Sequence, residues 1–385
     1  MSVPVAFRRH RASVRAVSAT AAGIVLGLCA TAVVASAPRA GALRPPPAIP
    51  GAGGTASASC SKGSLFDGRW PTGCWRPYRS TSPFNQPIPS GARIAPDSGE
   101  IVAKLLSFGP IDNLVAGEAD SPHDFSHPVY FSQRRDPVFT LHCYQASWGR
   151  CPIEGKRIRI PNAARPAGGA DAHLTVISRA SGWEYDFYKV RSKPRGGGRL
   201  VFRWGGRTRI GGDGRGSGAT ASGFGGAAGI IRAAELRAGR IKHALFMVAR
   251  CDAGRWVYPA DKSGSSCANR GIASDGAPPM GARLQLAMGS AEINALRVPS
   301  WKKTILRAMA RYGLYLGDTG GGAWGVQLES GSSYTSFGRA DPLVAFARTN
   351  GWRRSGSRYI GDLRAGVDWR RYLRVIDPCV TRRSC

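Results

Sequence analysis

Between Asp171 and Tyr188 the chain reads Asp-Ala-His-Leu-Thr-Val-Ile-Ser-Arg-Ala-Ser-Gly-Trp-Glu-Tyr-Asp-Phe-Tyr, a concentration of acids, tyrosines and one histidine in a protein otherwise poor in acids. Its alternation predicts a hairpin turning through Arg179–Gly182, with Ser178 opposite Trp183, Ile177 opposite Glu184, Val176 opposite Tyr185, Thr175 opposite Asp186, Leu174 opposite Phe187 and His173 opposite Tyr188. Opposed residues share a face and faces alternate along each strand. One face therefore collects Leu174, Val176, Trp183, Tyr185 and Phe187. The other collects His173, Thr175, Glu184, Asp186 and Tyr188, with Ile177 as its one apolar member. A slip of one residue would mix the two sets, so the segregation itself supports the register.

That polar face has the residue types of a groove that breaks glycosidic bonds. Carboxylates two apart on a strand lie about 6.5–7 Å apart along the backbone, a spacing that leaves both the retaining and the inverting geometry open. Two such charges side by side drive their pKa values apart, giving one protonated acid and one ionised partner. The expected roles are proton donor and base or stabiliser for Glu184 and Asp186, with His173 and Tyr188 orienting substrate or shuttling protons. In an elimination variant, Tyr188 or His173 would abstract the proton while an arginine neutralises a uronate. An ordinary solvated strand face is the competing reading.

Further substrate contacts are expected from Asp171 and Thr175 on the same hairpin and from His243, which opens an apolar strand where a cleft lip would fall. Asp318 in Gly317-Asp-Thr-Gly-Gly and Glu329 in Gln327-Leu-Glu-Ser are expected to contribute as well, either acid being able to supply a second carboxylate, with Gln327 beside them. The single Asp-Thr-Gly lacks the second copy an aspartic protease needs. The tract Gly211–Gly229 lacks the Gly-Lys-Ser/Thr ending of a phosphate-binding loop and is expected to be a flexible loop. His123 and His127 have metal-ligand spacing, but Pro122 and Pro128 disfavour the helix it would require. No Gly-x-Ser-x-Gly elbow occurs. No metal or cofactor is therefore expected.

Glu184-Tyr-Asp186 resembles the opening of the Glu-x-Asp-x-x-Glu strand motif of laminarinase-like jelly-roll glycosidases. The last acid of that motif falls on Lys189, or on Tyr188 in its shorter variant, so the family's acid/base is absent and its assignment is not transferred. Ser82-Pro-Phe-Asn-Gln-Pro-Ile-Pro89 and Ile94-Ala-Pro-Asp-Ser-Gly-Glu-Ile101 resemble the start of a group of uncharacterised secreted actinobacterial proteins. Ala277-Pro-Pro-Met-Gly-Ala-Arg283, the Trp301-Lys-Lys helix and Tyr334-Thr-Ser-Phe-Gly338 extend that likeness over most of residues 70–380. It implies export and a single β-rich domain, and brings no reaction with it.

The elements that must position these residues are mostly strands. His173–Ile177, Trp183–Tyr188, Leu200–Trp204, His243–Val248, Leu284–Met288, Leu314–Leu316 and Trp324–Leu328 all alternate or run apolar. Helices are expected after Asp97-Ser98, after Pro299-Ser300 with a stop at Gly313, and briefly over Ala233–Ala238. Without a strand–helix–strand rhythm, a doubly wound sheet or α/β barrel is excluded. The expected class is mainly β: a β-sandwich or jelly-roll-like single domain with two or three accessory helices. Of the ten tryptophans, two or three are expected as surface platforms for sugar rings.

Residues 1–42 read as a cleaved signal peptide, with Arg8, Arg9, Arg11 and Arg15 ahead of an apolar stretch and a cut after Ala42. A retained anchor is the alternative, because the apolar stretch is long. Residues 43–59 form an Ala/Pro/Gly-rich spacer and 60–385 the domain. Eight cysteines remain after cleavage. Pairing of sequence neighbours would close short loops at 60–74, 143–151, 251–267 and 379–385, as expected for an extracellular protein. Of 54 cations against 24 acids, giving a net charge of +30, only nine are lysines. Such a surface attracts anionic polymers, but the charges are scattered rather than run together, which disfavours nucleic acid. The expected partner is a polysaccharide or cell-wall polymer, neutral or anionic, with no stable membrane span after processing. A non-catalytic glycan- or wall-binding protein is the alternative to an enzyme.

Overall fold

The computed structural model describes residues 76–385 apart from Ser217, all within one compact unit. The leader, the spacer and the Cys60–Cys74 pair lie outside the described residues. A six-stranded sheet runs in the order Val129–Ser132, Leu174–Ser178, Trp183–Ser192, Gly198–Arg209, Val138–Cys143, Arg157–Arg159. A five-stranded sheet runs Trp324–Val326, Leu245–Ala249, Leu314–Thr319, Arg283–Leu286, Leu373–Ile376, and a small sheet joins Leu114–Ala116, Arg358–Gly361 and Arg353–Ser355. All seven expected strands are present, with ends shifted by a few residues, and the chain is a mainly β, sandwich-like domain.

Three pairings are parallel: Val129–Ser132 with Leu174–Ser178, Val138–Cys143 with Gly198–Arg209, and Leu245–Ala249 with Leu314–Thr319. A parallel pair cannot be closed by a tight turn, so the chain makes long crossings between these strands. Trp148, Asp171 and Ser263–Ser265, which line the site described below, are carried on such crossings.

Helices of two turns or more are Ser98–Ser107, Ser300–Arg311 and Pro342–Thr349. The second buries Trp301, Ile305, Leu306, Ala308 and Met309, a stripe at helical spacing, in the same core as Leu245, Leu284, Leu314 and Leu316 of the five-stranded sheet. It stops at Gly313, whose φ of 77° suits a residue without a Cβ. The third helix was not anticipated, although Asp341-Pro342 signals it: the Asp341 carboxylate accepts from the N–H groups of Leu343 and Val344.

The hairpin register is the one the alternation predicts, from Ser178↔Trp183 to Leu174↔Phe187. Leu174, Val176, Tyr185 and Phe187 enter a core with Phe139, Leu141, Ile153, Leu200 and Phe202. The opposite face is covered too, because Ile177 packs on Ala227 and Ile230 in a second buried cluster. The cover is the second half of the glycine-rich tract. Residues 222–230 are buried, which corrects the expectation of a flexible loop there.

Among the described residues three disulfides join sequence neighbours, a connectivity the sequence alone leaves open: Cys143–Cys151, Cys251–Cys267 and Cys379–Cys385. Among the described residues no helix is long and apolar enough to cross a membrane.

Candidate functional site

Glu184 and Asp186 lie side by side as the register requires, but under the glycine-rich cover rather than in an open groove, and both are at most 1 % exposed. Asp186 Oδ1 accepts from the Thr175 hydroxyl at 2.8 Å and from the Gly226 N–H at 3.0 Å. Glu184 accepts from the Tyr78 hydroxyl and from the Ala227 N–H, both at 2.9 Å. The two acids therefore bind the backbone of the segment lying on them. A Cβ at Gly226 would come within 2.1 Å of Thr175 Oγ1, and one at Gly225 within 2.1 Å of the Tyr78 hydroxyl, so glycine is needed for this approach. Burial, and then the neighbouring charge of Asp186, push the Glu184 carboxyl well above the usual carboxylate range. The expectation that these acids and Thr175 line an open groove is corrected: polar strand faces normally meet water, and here the partner is backbone N–H.

Three more expected contacts lie away from any large cavity. His243 is buried with Nε2 3.0 Å from Glu235 Oε1, which also accepts from Arg232 at 2.6 Å. Burial alone would raise the Glu235 carboxyl, but Arg232 and His243 hold it below the carboxylate range. Glu329 is buried against the same group and accepts from the Tyr334 hydroxyl at 3.1 Å. Gln327 donates to the carbonyl of Phe125 at 2.7 Å. These three side chains tie loops together.

The other four expected residues converge. Asp171, His173, Tyr188 and Asp318 line one cavity of about 700 Å³, together with Trp148, Trp204, Lys262, Arg270 and the Gly218–Ala221 and Ser263–Ser265 segments. The six-stranded sheet contributes Tyr188 and Trp204, directly opposed on neighbouring strands, and the hairpin's entry brings Asp171 and His173. Asp318 comes from the five-stranded sheet, where a register irregularity between Leu316 and Asp318 interrupts the parallel ladder. Such irregularities re-aim side chains at functional sites.

Local backbone geometry fixes the Asp171 corner. Ala172 and Lys189 have φ of 39° and 52°, in the left-handed region that costs a residue with a Cβ about 1 kcal/mol or more. The two are held by Lys189 N–H donating to Asp171 O at 2.8 Å and Val190 N–H to Ala172 O at 3.2 Å. The Tyr188 hydroxyl hydrogen-bonds the Asp171 carboxylate, and burial with that charge raises it to about 12. Left-handed non-glycine residues on both sides of a cavity corner are the kind of strain that concentrates at working sites.

Asp318 lines the same cavity. Burial pushes Asp318 up to about 6; the N–H groups of Thr319 (2.8 Å) and Ala221 (3.3 Å) oppose the rise, and the charge of Asp171 adds to it. His173 is held neutral, with its pKa lowered to about 4 by burial, and it hydrogen-bonds the Phe187 carbonyl. Lys262 donates to Gly218 O at 3.1 Å, and burial lowers its pKa.

An aromatic wall leads outward from these groups. The His173 and Tyr188 ring centroids are 5.5 Å apart, Tyr188 stacks on Trp148 at 6.4 Å with planes 15° apart, and Trp204 meets Trp148 edge-on at 5.8 Å. Trp148 is 51 % exposed, and the Arg203 guanidinium lies 4.7 Å from its ring centroid. Trp148 and Trp256 are the exposed tryptophans among the described residues.

Two disulfides staple the walls. Trp148 sits in the loop closed by Cys143–Cys151, and Lys262–Ser265 in the loop closed by Cys251–Cys267. Asp252 accepts from Gly254 N–H at 2.6 Å and Gly264 N–H at 2.7 Å inside the latter, and Ser265 N–H reaches Thr319 Oγ1 at 3.2 Å. Sequence reading missed Trp148, Trp204, Lys262 and Arg270 as a set; the available signal was a tryptophan and a lysine each placed inside a short cysteine-closed loop.

Among the described residues, the grouping of His, Cys, Asp or Glu close enough to hold a cation is Cys143, Cys151 and Glu154, whose sulfurs are already joined to each other. His123 is exposed, and buried His127 uses Nδ1 on the Gly226 carbonyl at 2.8 Å.

Comparison with protein-family models, with curated proteins and with solved structures returned no match. The chemistry of the cavity therefore has to be argued from its own residues.

Proposed function

We propose that the chain is a secreted carbohydrate-active enzyme that cleaves a polysaccharide in the cavity between the two large sheets. Asp318 is the proton donor and Asp171 the second carboxylate, as base or stabiliser, the roles that strand spacing alone suggested for Glu184 and Asp186. The observation that carries this reading is the meeting of Asp171, just ahead of the strand Leu174–Ser178, with Asp318 of the five-stranded sheet in one cavity walled by Trp148, Tyr188 and Trp204. A carboxyl with a pKa of about 6 keeps its proton at mildly acidic pH and can give it to a leaving oxygen. Stacked aromatic faces suit the apolar faces of sugar rings. Lys262 and Arg270 at the walls, and Arg203 over the Trp148 ring, favour a polymer carrying negative charge. Export is supported by the arginine-led apolar leader, by three disulfides and by the likeness of Ser82–Pro89 and Ala277–Arg283 to exported actinobacterial proteins.

The test is incubation of the oxidised protein with neutral and acidic polysaccharides, reading new reducing ends and the ultraviolet absorbance of unsaturated uronates. Reducing ends alone indicate hydrolysis. Both signals together indicate elimination, for which neutral His173 is the base and Lys262 the group that neutralises the uronate. A second reading, glycan binding without cleavage, is favoured by the exposed Trp148 platform; retention of a polymer with neither signal supports it.

A further inference from the structure

A second large cavity, of about 650 Å³, is lined by Arg79, Arg283, Arg382 and Arg383 together with Tyr258 and Thr381, and no acid lines it. Among the described residues none of the four arginines makes an ion pair with a carboxylate. Arg283 is 4 % exposed. It donates from Nε and Nη2 to the Tyr312 carbonyl at 3.0 and 2.7 Å, and from Nη2 to the Gln86 carbonyl at 2.6 Å. Capping the end of the Ser300–Arg311 helix accounts for those two donors, because a cation is favoured at a helix C-terminus. Its guanidinium also lies 5.1 Å from the Tyr315 ring centroid, and the residue lines the cavity. A buried guanidinium with only neutral partners is costly, and three further cations converge on the same space.

The convergence is built rather than incidental. Arg382 and Arg383 stand in the turn closed by Cys379–Cys385, where Asp377 accepts from the Cys379 N–H at 2.9 Å and pairs with Arg93 at 2.9 Å. The acid nearest these arginines in sequence is thus already engaged, and Arg383 is held at a φ of 60°. Arg79 enters from the other side, its N–H bonded to the Gly212 carbonyl at 2.9 Å.

We propose that this cavity binds a phosphoryl group, either free phosphate or the phosphate of a larger molecule. Guanidinium groups match the paired oxygens of phosphate with two parallel hydrogen bonds, and a dianion balances several of them at once. The site is separate from the cavity holding Asp171 and Asp318, and the proposal stands whether or not a polysaccharide is cleaved there.

The test is calorimetric titration of the oxidised full-length protein with inorganic phosphate, glucose 6-phosphate and, at matched ionic strength, chloride. Saturable phosphate binding is expected, weakened at least tenfold in the exposed double variant Arg382→Ala/Arg383→Ala and in Arg79→Ala. Tighter binding of glucose 6-phosphate than of phosphate would identify a carried phosphoryl group, and the reverse order a free one; either supports the site. Arg283→Lys should weaken binding as well, and if that variant fails to fold, the exposed variants still decide. An equal response to chloride, or phosphate binding unchanged in both exposed variants, overturns the proposal.

Discussion

The Asp186 carboxylate accepts a hydrogen bond from Thr175, the residue directly across the hairpin, and from the backbone of Gly226, which lies on top of both. This arrangement turns what looks like a catalytic face into the seat of a buried crossing segment. It also separates the acids that hold the fold from those in the open cavity.

Replacing Gly226 by alanine tests the seat. The added Cβ would meet Thr175 Oγ1 at 2.1 Å and Asp186 Oδ1 at 2.7 Å. The expected cost is about 1–3 kcal/mol, as for overpacked cores, read as a lower midpoint in urea unfolding. An unchanged midpoint would mean that the segment does not rest on the acids.

Glu184→Gln should fold and leave polysaccharide turnover intact. The neutral amide keeps its oxygen as acceptor for the Ala227 N–H and presents its NH2 toward Asp186. Because the folded-state pKa of Glu184 is raised, its contribution to stability is complete below the unfolded value of about 4.3. That contribution is lost as pH rises through the raised folded value. Unfolding free energy measured against pH should fall less steeply on the alkaline side in the variant than in the parent. Identical profiles would remove Glu184 as the source.

Much of this was legible beforehand. The segregation of Leu174, Val176, Tyr185 and Phe187 from Thr175, Glu184 and Asp186 specified the register, and four of ten expected site residues meet in one cavity. The cover was not legible, because Gly223–Gly229 carries almost no side-chain pattern and docks through backbone N–H groups. Ile177 was the available clue: one isoleucine in a polar set is out of place on a solvated face and at home on a covered one. The partnership of Asp318 with Asp171 depends on strands from two sheets meeting, which no local spacing encodes.

Trp148→Ala removes an exposed ring and should leave the fold intact. Loss of stacking is expected to weaken glycan binding by about 1 kcal/mol, about fivefold in Kd. Equal affinity would place the glycan elsewhere.

Cys251→Ser/Cys267→Ser opens a loop spanning 16 residues of sequence. The expected stability loss is about 3 kcal/mol. KM should rise, because Lys262 and Ser265 lose their anchor beside Thr319. A stability loss with unchanged KM would separate this loop from the site.

The most direct measurement compares Asp318→Asn with the parent on a polysaccharide the parent cleaves, across pH 4 to 8. Parent activity should fall as pH rises through about 6, where Asp318 gives up its proton. The asparagine variant should lose about 10²-fold or more of turnover, together with that pH limb, while still binding the polymer. Full activity in Asp318→Asn, or its loss in a folded Glu184→Gln, would contradict the assignment of the proton donor to the open cavity.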